Sequence, residues 1–351
     1  MGLMECAALC KRQSLCQSIN WNNDDCELNS SREGIFISDQ MYIFADVQSF
    51  PANIAKGCQY VTCPSNTLCV AKETGENCEV IGCTGIPNVE NINADAFNQH
   101  ILWEFNEIVN YPCAPLYRPN ANVTCNIDGN WPEFECVPIS SCDEVAYCDR
   151  TAVSNEYWVY VIPLDQTMKV FCEIELRMDT VSYITLINNN TATTPIYTRG
   201  YGCEKVDTGS YYSTVGTSSI SKVELRTNTM TVALVSGYIQ SSLSSQLFGH
   251  AADCYASIPP DACGVIGKFE IDFRGTGFKV RNDTTWEAKS SGFVHNITRS
   301  FNDSVVVGYC GGETNRVCGG CKPKNNKLYI DYNHWDNIPV SAAKKPVCQY
   351  A

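Results

Sequence analysis

The sequence has little positive charge and no long apolar run, and each absence excludes a class of protein. No run approaches the roughly 18–20 apolar residues that a membrane-spanning helix needs. The chain has 25 Lys and Arg residues and 38 Asp and Glu residues, which gives a formal net charge of −13. This balance argues against nucleic acid or an anionic membrane surface as the main partner. Cationic partners or neutral glycans fit better.

Histidine is also scarce, and the histidines present are badly spaced for catalysis. The chain has four, at positions 100, 250, 295 and 334, and none belongs to the HExxH helix of a zinc metalloprotease. No G-x-S-x-G segment is present, so the nucleophile elbow of a serine hydrolase is absent as well. We therefore expect no catalytic residue, no cofactor, no metal and no enzyme activity.

Cysteine, by contrast, is abundant. The chain has 22 cysteines, and their even number favours complete pairing in an oxidising compartment. Acceptor sites for N-linked glycans have the form N-x-S/T, and they occur at Asn29, Asn122, Asn189, Asn282, Asn296 and Asn302. Together they indicate a secreted glycoprotein. The opening residues MGLMECAALC lack the build of a signal peptide, so we interpret the chain as a fragment or the product of an incomplete gene model.

Cysteine spacing divides the chain into blocks that each hold an even number of cysteines and could close on themselves. Small domains of this kind gain roughly 2–4 kcal/mol from each crosslink, which compensates for a small core. The predicted domains are residues 1–50, 51–82, 83–138 and 139–333, followed by a tail at 334–351.

The first block places Cys6 and Cys10 on one face of a predicted helix, followed by a Cys16-Gln-Ser-Ile-Asn-Trp21 segment and a Cys26-x-Leu28 strand. It resembles a PAN/apple domain, and the resemblance implies the disulfides Cys6–Cys26 and Cys10–Cys16. The strand that normally precedes the helix in that family is missing, which supports truncation at the N-terminus.

The next two blocks resemble two other small extracellular modules. KGCQYVTCPSNTLCVAKETGENC is similar to the start of an EGF-like module without its calcium-binding sequence, which implies Cys58–Cys69 and Cys63–Cys78 and no bound calcium. Residues 83–136 resemble a sushi (complement control) module, with Trp131 between the last two cysteines. That resemblance implies Cys83–Cys125 and Cys113–Cys136.

From Cys142 onward, short segments alternate apolar and polar residues with a period of two, which predicts an all-β domain. In KFEIDFRGTGFKV this alternation stops at Gly275-Thr-Gly277 and then resumes, so we predict a hairpin there. The predicted fold class is mainly β, with small disulfide-rich modules followed by a large all-β domain.

This part of the chain contains several distinctive segments, namely Tyr183-Ile-Thr-Leu186, GHAADCYAS from Gly249, GKFEIDFRGTGF from Gly267, Trp286, VGYCGG from Val307 and Cys318-Gly-Gly-Cys321. In these segments it resembles the GON domain, found at the C-terminus of some ADAMTS metalloproteases and in invertebrate extracellular proteins. A cysteine cluster expected after Cys203 is absent, while Cys148 and Cys348 are additional. The pairing of the ten cysteines from Cys142 onward, Cys254 and Cys263 among them, is therefore left open. The resemblance implies a non-catalytic extracellular interaction module.

Residues 308–324, GYCGGETNRVCGGCKPK, allow three interpretations. Cys310, Cys318 and Cys321 could bind zinc together with His250 or Cys254, or the last two could form a redox CxxC pair. Structural disulfides are favoured, because the compartment is oxidising and turn residues surround the cysteines.

Six tryptophans could bind glycans by stacking. Trp21, Trp131, Trp158 and Trp286 lie within strands or cysteine frameworks, where a core position is more common. We expect Trp103 and Trp335 to be the exposed ones.

The predicted function is that of a secreted, non-catalytic adhesion or recognition glycoprotein, which binds a protein or glycan partner in extracellular matrix or body fluid. The predicted order of modules is similar to that of modular extracellular proteins of marine invertebrates. The alternatives are a structural matrix or coat component, for which self-association is possible, and a zinc or redox site at Cys310, Cys318 and Cys321.

Overall fold

The chain forms two compact units, residues 1–137 and 138–348. The computed structural model describes residues 1–13, 16–22, 25–29, 31, 43–58, 61–72, 75–85, 87, 89–93, 102–109, 111–175, 180–195, 215–235, 237–253, 266–290, 292–312, 319–336 and 343–348. Within these ranges, no helix combines the length and the apolar character needed to cross a membrane.

The first unit begins with helix α1, Leu3–Arg12, whose charges suit its ends. Glu5 in the first turn accepts a hydrogen bond from the Gly2 amide at 3.0 Å, and the last turn is basic. Cys6 and Cys10 lie on one face and are both fully buried, as their spacing predicts. That face packs near a three-stranded antiparallel sheet in the order β2-β1-β3, formed by β1 Ser18–Asn22, β2 Asp25–Asn29 and β3 Ile43–Asp46.

The rest of this unit consists of short 3-10 helices and two-stranded ribbons. The 3-10 helices are Val47–Ser49 and Ala52–Cys58, and the strands are β4 Thr67–Lys72, β5 Gly75–Val80, β6 Cys83–Thr84, β7 Leu102–Trp103, β8 Ile108–Val109, β9 Tyr117–Pro119, β10 Val123–Thr124 and β11 Cys136–Pro138. The ribbons pair β4 with β5, β6 with β7, β8 with β10 and β9 with β11.

Two tryptophans of the first unit, Trp103 and Trp131, form a small aromatic cluster. The rings of Trp103 and Trp131 meet edge to face with centroids 5.3 Å apart, and Trp131 donates from its indole nitrogen to the Gly85 carbonyl at 3.1 Å. Trp103 is only 6% exposed. The prediction that Trp103 is exposed is therefore wrong, because strand β7 turns its side chain onto Trp131 beside the Cys83–Cys125 disulfide.

The second unit is built almost entirely from strands, which confirms the predicted mainly β fold. It opens with helix α2, Cys142–Cys148, which is capped by the Ser141 hydroxyl accepting from the Glu144 amide at 3.1 Å. The strands are β12 Asn155–Val161, β13 Gln166–Ile174, β14 Thr180–Thr194, β15 Gly216–Arg226, β16 Thr231–Val232, β17 Ile239–Leu243, β18 Ala251–Asp253, β19 Gly267–Asp272, β20 Phe278–Val280, β21 Trp286–Ser290, β22 Gly292–Ser300, β23 Val305–Gly312, β24 Gly319–Pro323 and β25 Leu328–Tyr332, with 3-10 turns at Ile162–Leu164 and Lys324–Asn326.

Most of these strands form one antiparallel sheet in the order β20-β25-β16-β15-β14-β19-β23-β22. The pair β12–β13 joins it through β14, and β17 pairs with β15. A second sheet has the order β18-β24-β21. Residues beyond the last strand are also tied in, since the Trp158 amide donates to the Lys344 carbonyl at 2.9 Å and Cys348 is bonded to Cys148.

The period-two pattern of the sequence directs side chains into the core. On β19, Phe269 and Ile271 are fully buried, and the alternating Lys268 and Glu270 are half-buried and form an ion pair at 3.0 Å. The Phe269 ring stacks on Trp286 with centroids 5.1 Å apart. Trp286 is thus a packing residue, as predicted.

The predicted hairpin at Gly275-Thr-Gly277 is wrong in its pairing. The turn exists, with positive φ at both glycines (+74° and +81°). However, β19 pairs with β14 and β23, while β20 pairs with β25. Since both edges of β19 are already occupied, the chain continues through the turn to a different neighbour.

Candidate functional site

The cysteine- and glycine-rich stretch at 308–324 contains a structural disulfide. Cys310 on β23 is bonded to Cys321 on β24, and both residues are fully buried. Cys318 lies outside the described residues. The alternatives that use Cys310 and Cys321 as thiolates are wrong for this structure, because each sulfur is already bonded to the other.

His250, the other proposed zinc ligand, is buried immediately before β18. It is 7% exposed, and neither ring nitrogen has a hydrogen-bond partner. Burial, with smaller contributions from Lys289 and Lys322, lowers its pKa to about 4. Among the described side chains, no group of three or more His, Cys, Asp or Glu residues is arranged as metal ligands would be. His250 is therefore a neutral core residue.

Every cysteine that the structure describes is disulfide-bonded. The first unit contains the six pairs that the resemblances imply, Cys6–Cys26, Cys10–Cys16, Cys58–Cys69, Cys63–Cys78, Cys83–Cys125 and Cys113–Cys136. The second unit adds Cys142–Cys172 and Cys148–Cys348, pairs that the sequence left open. Cys254 and Cys263, also predicted to be bonded, lie outside the described residues.

The predicted glycan acceptors differ in accessibility. Five of the asparagines are exposed, namely Asn122, Asn189, Asn282, Asn296 and Asn302. Asn29 is half-buried, and its amide nitrogen is buried without a hydrogen-bond partner. Accessibility therefore favours the five exposed positions.

Among the described residues, a cleft in the second unit is the strongest candidate for a binding site. Its volume is about 900 Å³, and its lining comes from two stretches, residues 224–237 and 326–329. The first runs from the end of β15 through β16, and the second leads into β25, which pairs with β16 through Thr231 and Tyr329. We call this feature the recognition cleft. Its size lies within the range of ligand-binding pockets, roughly 300–1,000 Å³.

Polar and apolar side chains both line the recognition cleft. Glu224 and Arg226 form an exposed ion pair at 3.1 Å, and the Thr229 and Thr231 hydroxyl oxygens lie 2.8 Å apart. The apolar part of the lining includes Val232, Ala233 and Leu234. A cleft lined by both hydrogen-bonding and apolar groups can bind a ligand that is itself part polar and part apolar.

The charge of the recognition cleft is opposite to that of the whole chain. It contains two cations, Arg226 and Lys327, and one carboxylate, Glu224, within a protein of net charge −13. The Arg226–Glu224 pair is exposed, so its mutual attraction is weak and does not fix Arg226 in place. Both cations can therefore turn toward a ligand.

A cluster of aromatic and charged side chains adjoins the recognition cleft. Tyr183 and Tyr238 donate from their hydroxyls to opposite oxygens of the Glu173 carboxylate, at 3.0 and 2.5 Å. The Lys222 ammonium lies over the rings of Phe171 and Tyr238, 3.7 and 4.1 Å from their centroids. We call these five residues the tyrosine cluster.

The two features meet because Tyr183 on β14 lies directly opposite Glu224 on β15. Burial, followed by the hydrogen bond and charge of Glu173, raises the pKa of Tyr238 to about 12 and also raises that of Tyr183. Both hydroxyls therefore remain protonated donors at neutral pH. In the tyrosine cluster both hydroxyls are bonded to the Glu173 carboxylate, beside the Lys222 ammonium.

Sequence reasoning missed both features. It predicted strands in this part of the chain but attached no role to residues 224–237 or 326–329. The two linings lie far apart in the chain and meet only because β16 pairs with β25. No local motif marks them.

Comparison with known proteins identifies the second unit. The GON domain family model matches residues 139–332. The chain is 35% identical over 83 residues to A disintegrin and metalloproteinase with thrombospondin motifs gon-1 of Caenorhabditis elegans, a match covering 24% of the chain and 4% of the relative. It is 24% identical over 224 residues to A disintegrin and metalloproteinase with thrombospondin motifs 20 of Mus musculus, covering 60% of the chain and 11% of the relative.

The human protein of the same name is 21% identical over 224 residues, again covering 60% of the chain and 11% of the relative. The chain thus spans only about a tenth or less of the length of these relatives, and none of the solved structures matches it. The family model, however, covers more than half of the chain, and the match lies within the second unit. This chain belongs to the GON domain family.

Proposed function

We propose that this chain is a secreted, non-catalytic adhesion or recognition protein that binds an extracellular protein or glycan through the recognition cleft of its GON domain. The observation that carries this proposal is the cleft itself, whose lining has two cations, a carboxylate and apolar side chains. Sites of this size and mixed character are the usual binding sites of folded domains.

Location outside the cell is supported by the crosslinks. Nine disulfides join described cysteines in both units. Such bonds persist in oxidising compartments and are rare in the reducing cytosol. Membership of the GON family, shared with ADAMTS proteins, fits the same location.

A binding role without catalysis is supported by the chemistry of the site. The tyrosines beside the cleft have raised pKa values and therefore act as hydrogen-bond donors. The full sequence has no HExxH segment, although the relatives are named as metalloproteinases. The proteinase activity in their names is not transferred to this chain.

The first unit is proposed to consist of PAN/apple, EGF-like and sushi modules that present further surfaces. The support is the set of six disulfides, which pair the same cysteines as the resemblances imply. Each predicted module contains two of these bonds.

The test is binding by purified chain to a glycan array and to immobilised matrix proteins, with and without Arg226→Ala and Lys327→Ala together. Loss of charge-assisted hydrogen bonds should weaken binding by about tenfold or more. Lys268→Ala is the matched control, because Lys268 is a half-exposed cation of the same unit that pairs with Glu270 on β19. Equal binding by the double variant and the control would contradict the assignment of the cleft.

A further inference from the structure

Three large apolar side chains are exposed around the turn between β19 and β20. Ile187, Phe301 and Trp335 are 62%, 64% and 81% exposed. The Arg274 guanidinium lies 4.8 Å from the centroid of the Phe301 ring, and the Gly275 amide donates to Asp336 at 2.6 Å. We call Ile187, Phe301 and Trp335 the apolar patch. Exposed apolar side chains near one turn offer a surface that another group can cover.

A strained turn lies at the edge of this patch. Phe301, Asn302 and Asp303 are consecutive non-glycine residues, and all three have positive φ, at 52°, 53° and 63°. This conformation is costly for L-amino acids and persists only where the surroundings enforce it. A turn held in this way presents its side chains in fixed directions.

The surroundings do enforce it. The Val280 amide donates to the Asp303 carbonyl at 3.0 Å, and Arg299 pairs with the Asp303 carboxylate at 3.2 Å. The Phe273 amide donates to the Ser304 carbonyl at 2.8 Å. The Asn302 side chain is thereby held pointing at the segment that carries Trp335, since its amide nitrogen lies 3.4 Å from the Asn333 side-chain oxygen.

Asn302 is also the first residue of a glycosylation sequon, Asn302-Asp303-Ser304. A second sequon begins at Asn189, two residues after Ile187, on the bulged part of β14. One glycan acceptor thus lies next to Phe301 in the chain, and another lies two residues from Ile187. A glycan at either position would obstruct a protein partner, so the chain's own sugar is the occupant that fits best.

We propose that Asn302 carries an N-linked glycan whose first sugars pack on Trp335 and Phe301. The Asn302 side-chain nitrogen gives up one proton to a base of the transferase and bonds to the anomeric carbon of an oligosaccharide carried on a polyprenyl diphosphate. The bond from that carbon to the phosphate oxygen breaks, and the polyprenyl diphosphate leaves. One N–H remains to donate to Asn333. The apolar faces of the sugar rings then cover the aromatic side chains, whose broad surfaces suit stacking.

The timing of the reaction follows from the burial of Ser304. Its hydroxyl, which the transferase must recognise, is fully buried and accepts from the Asn333 side-chain nitrogen at 2.8 Å. The sugar must therefore be attached before this turn folds. The inference rests on the proposed passage through the secretory pathway and is independent of the recognition cleft.

The test uses the full chain secreted from animal cells treated with a mannosidase inhibitor. Mass spectrometry gives the occupancy of each sequon, and hydroxyl-radical footprinting gives the oxidation rate of Trp335. We compare the intact glycoprotein, the endoglycosidase H product, in which one sugar remains on each glycosylated asparagine, and the Asn302→Asp variant. Aspartate is suitable because it tolerates the left-handed conformation almost as well as asparagine. Asn296→Asp, at an exposed sequon within β22, is the matched control.

We expect an occupied Asn302, faster oxidation of Trp335 in Asn302→Asp, and a fall in Tm of roughly 2–4 °C. The oxidation rate of Trp335 in the single-sugar form should lie between the rates in the intact glycoprotein and in Asn302→Asp. Asn296→Asp should leave the oxidation rate of Trp335 unchanged. In Trp335→Ala, loss of the glycan should no longer lower Tm. The proposal would be overturned if Asn302 were unglycosylated while Asn296 was glycosylated. It would also be overturned if Trp335 were oxidised at the same rate with and without the glycan. Sequons that are all empty would count against the proposed secretion as well.

Discussion

Residues 1–137 and residues 138–348 differ in how much of their structure is crosslinked and how much is packed. The first unit has six of the nine described disulfides and sheets of only two or three strands. The second has three of the bonds and an 11-stranded sheet. Because a large sheet buries whole rows of side chains and a two-stranded ribbon buries few, we infer that crosslinks stabilise the first unit and packing stabilises the second.

The largest expected effect is that of reduction on the first unit. Each disulfide contributes roughly 2–4 kcal/mol, so the two bonds of each predicted module together are comparable to the usual stability of a small domain, about 5–15 kcal/mol. In reductant without denaturant, amides of β4, β5 and β9 should lose protection from hydrogen exchange while those of β14, β19 and β23 keep theirs. Peptide-resolved mass spectrometry measures both, with an alkylated but unreduced sample as control. Simultaneous loss of protection in the two units would contradict the inference that packing rather than crosslinks stabilises the second unit.

The matching experiment removes packing from the second unit. Phe269 is fully buried and stacks on Trp286, so Phe269→Ala should destabilise this unit by about 3–5 kcal/mol. Guanidinium unfolding of the non-reduced protein measures the change. Val235→Ala is the control, since Val235 is 66% exposed and should have little effect. Similar midpoints for the two variants would show that crosslinks rather than packing hold this sheet.

Acid should distinguish the units through His250. Burial lowers its pKa from 6.5 to about 4, so the unfolded state binds more protons than the folded state within that window. The contribution of neutral His250 to the free energy of unfolding is therefore fully present above about pH 6.5. It is lost as the pH falls toward 4, and the loss is at most about 3 kcal/mol. Denaturant unfolding of the second unit at pH 7 and pH 4.5 measures the loss. His250→Leu should reduce it, and an equal loss in this variant would assign the acid sensitivity to other groups.

The smallest expected effect is at the start of the second unit. The Ser141 hydroxyl caps α2, and Glu144 in turn accepts from the Ser140 amide at 2.6 Å. Ser141→Ala should cost about 1 kcal/mol in thermal or denaturant unfolding. Ser141→Asp keeps an acceptor at the cap and should restore most of it. If the alanine variant were neutral, the crosslinks Cys142–Cys172 and Cys148–Cys348 would be sufficient to hold this helix.

Local patterns were reliable guides in both units. Alternation predicted that Phe269 and Ile271 share the buried face of a strand, since neighbouring side chains on a strand point to opposite sides. Spacing predicted that Cys6 and Cys10 share a helix face. Both features depend on residues that are close in the chain, where backbone geometry alone fixes their direction.

Predictions that depended on distant neighbours were less successful. The hairpin after β19 is wrong because β14 and β23 occupy both of its edges. Trp103 is buried because Trp131, from another ribbon, lies against it. The recognition cleft was missed for the same reason, since its two linings meet only through β16 and β25.

The sequence by itself determined the mainly β fold, the crosslinked character and the GON motifs, because each of these depends on residue types at short or fixed spacing. The tertiary structure alone decided which strands pair, that Cys148 bonds to Cys348, and that a cleft opens beside the tyrosine cluster. The physical reason is that a strand fixes where its own side chains point, whereas its neighbours are chosen by the burial and hydrogen bonding of the whole sheet.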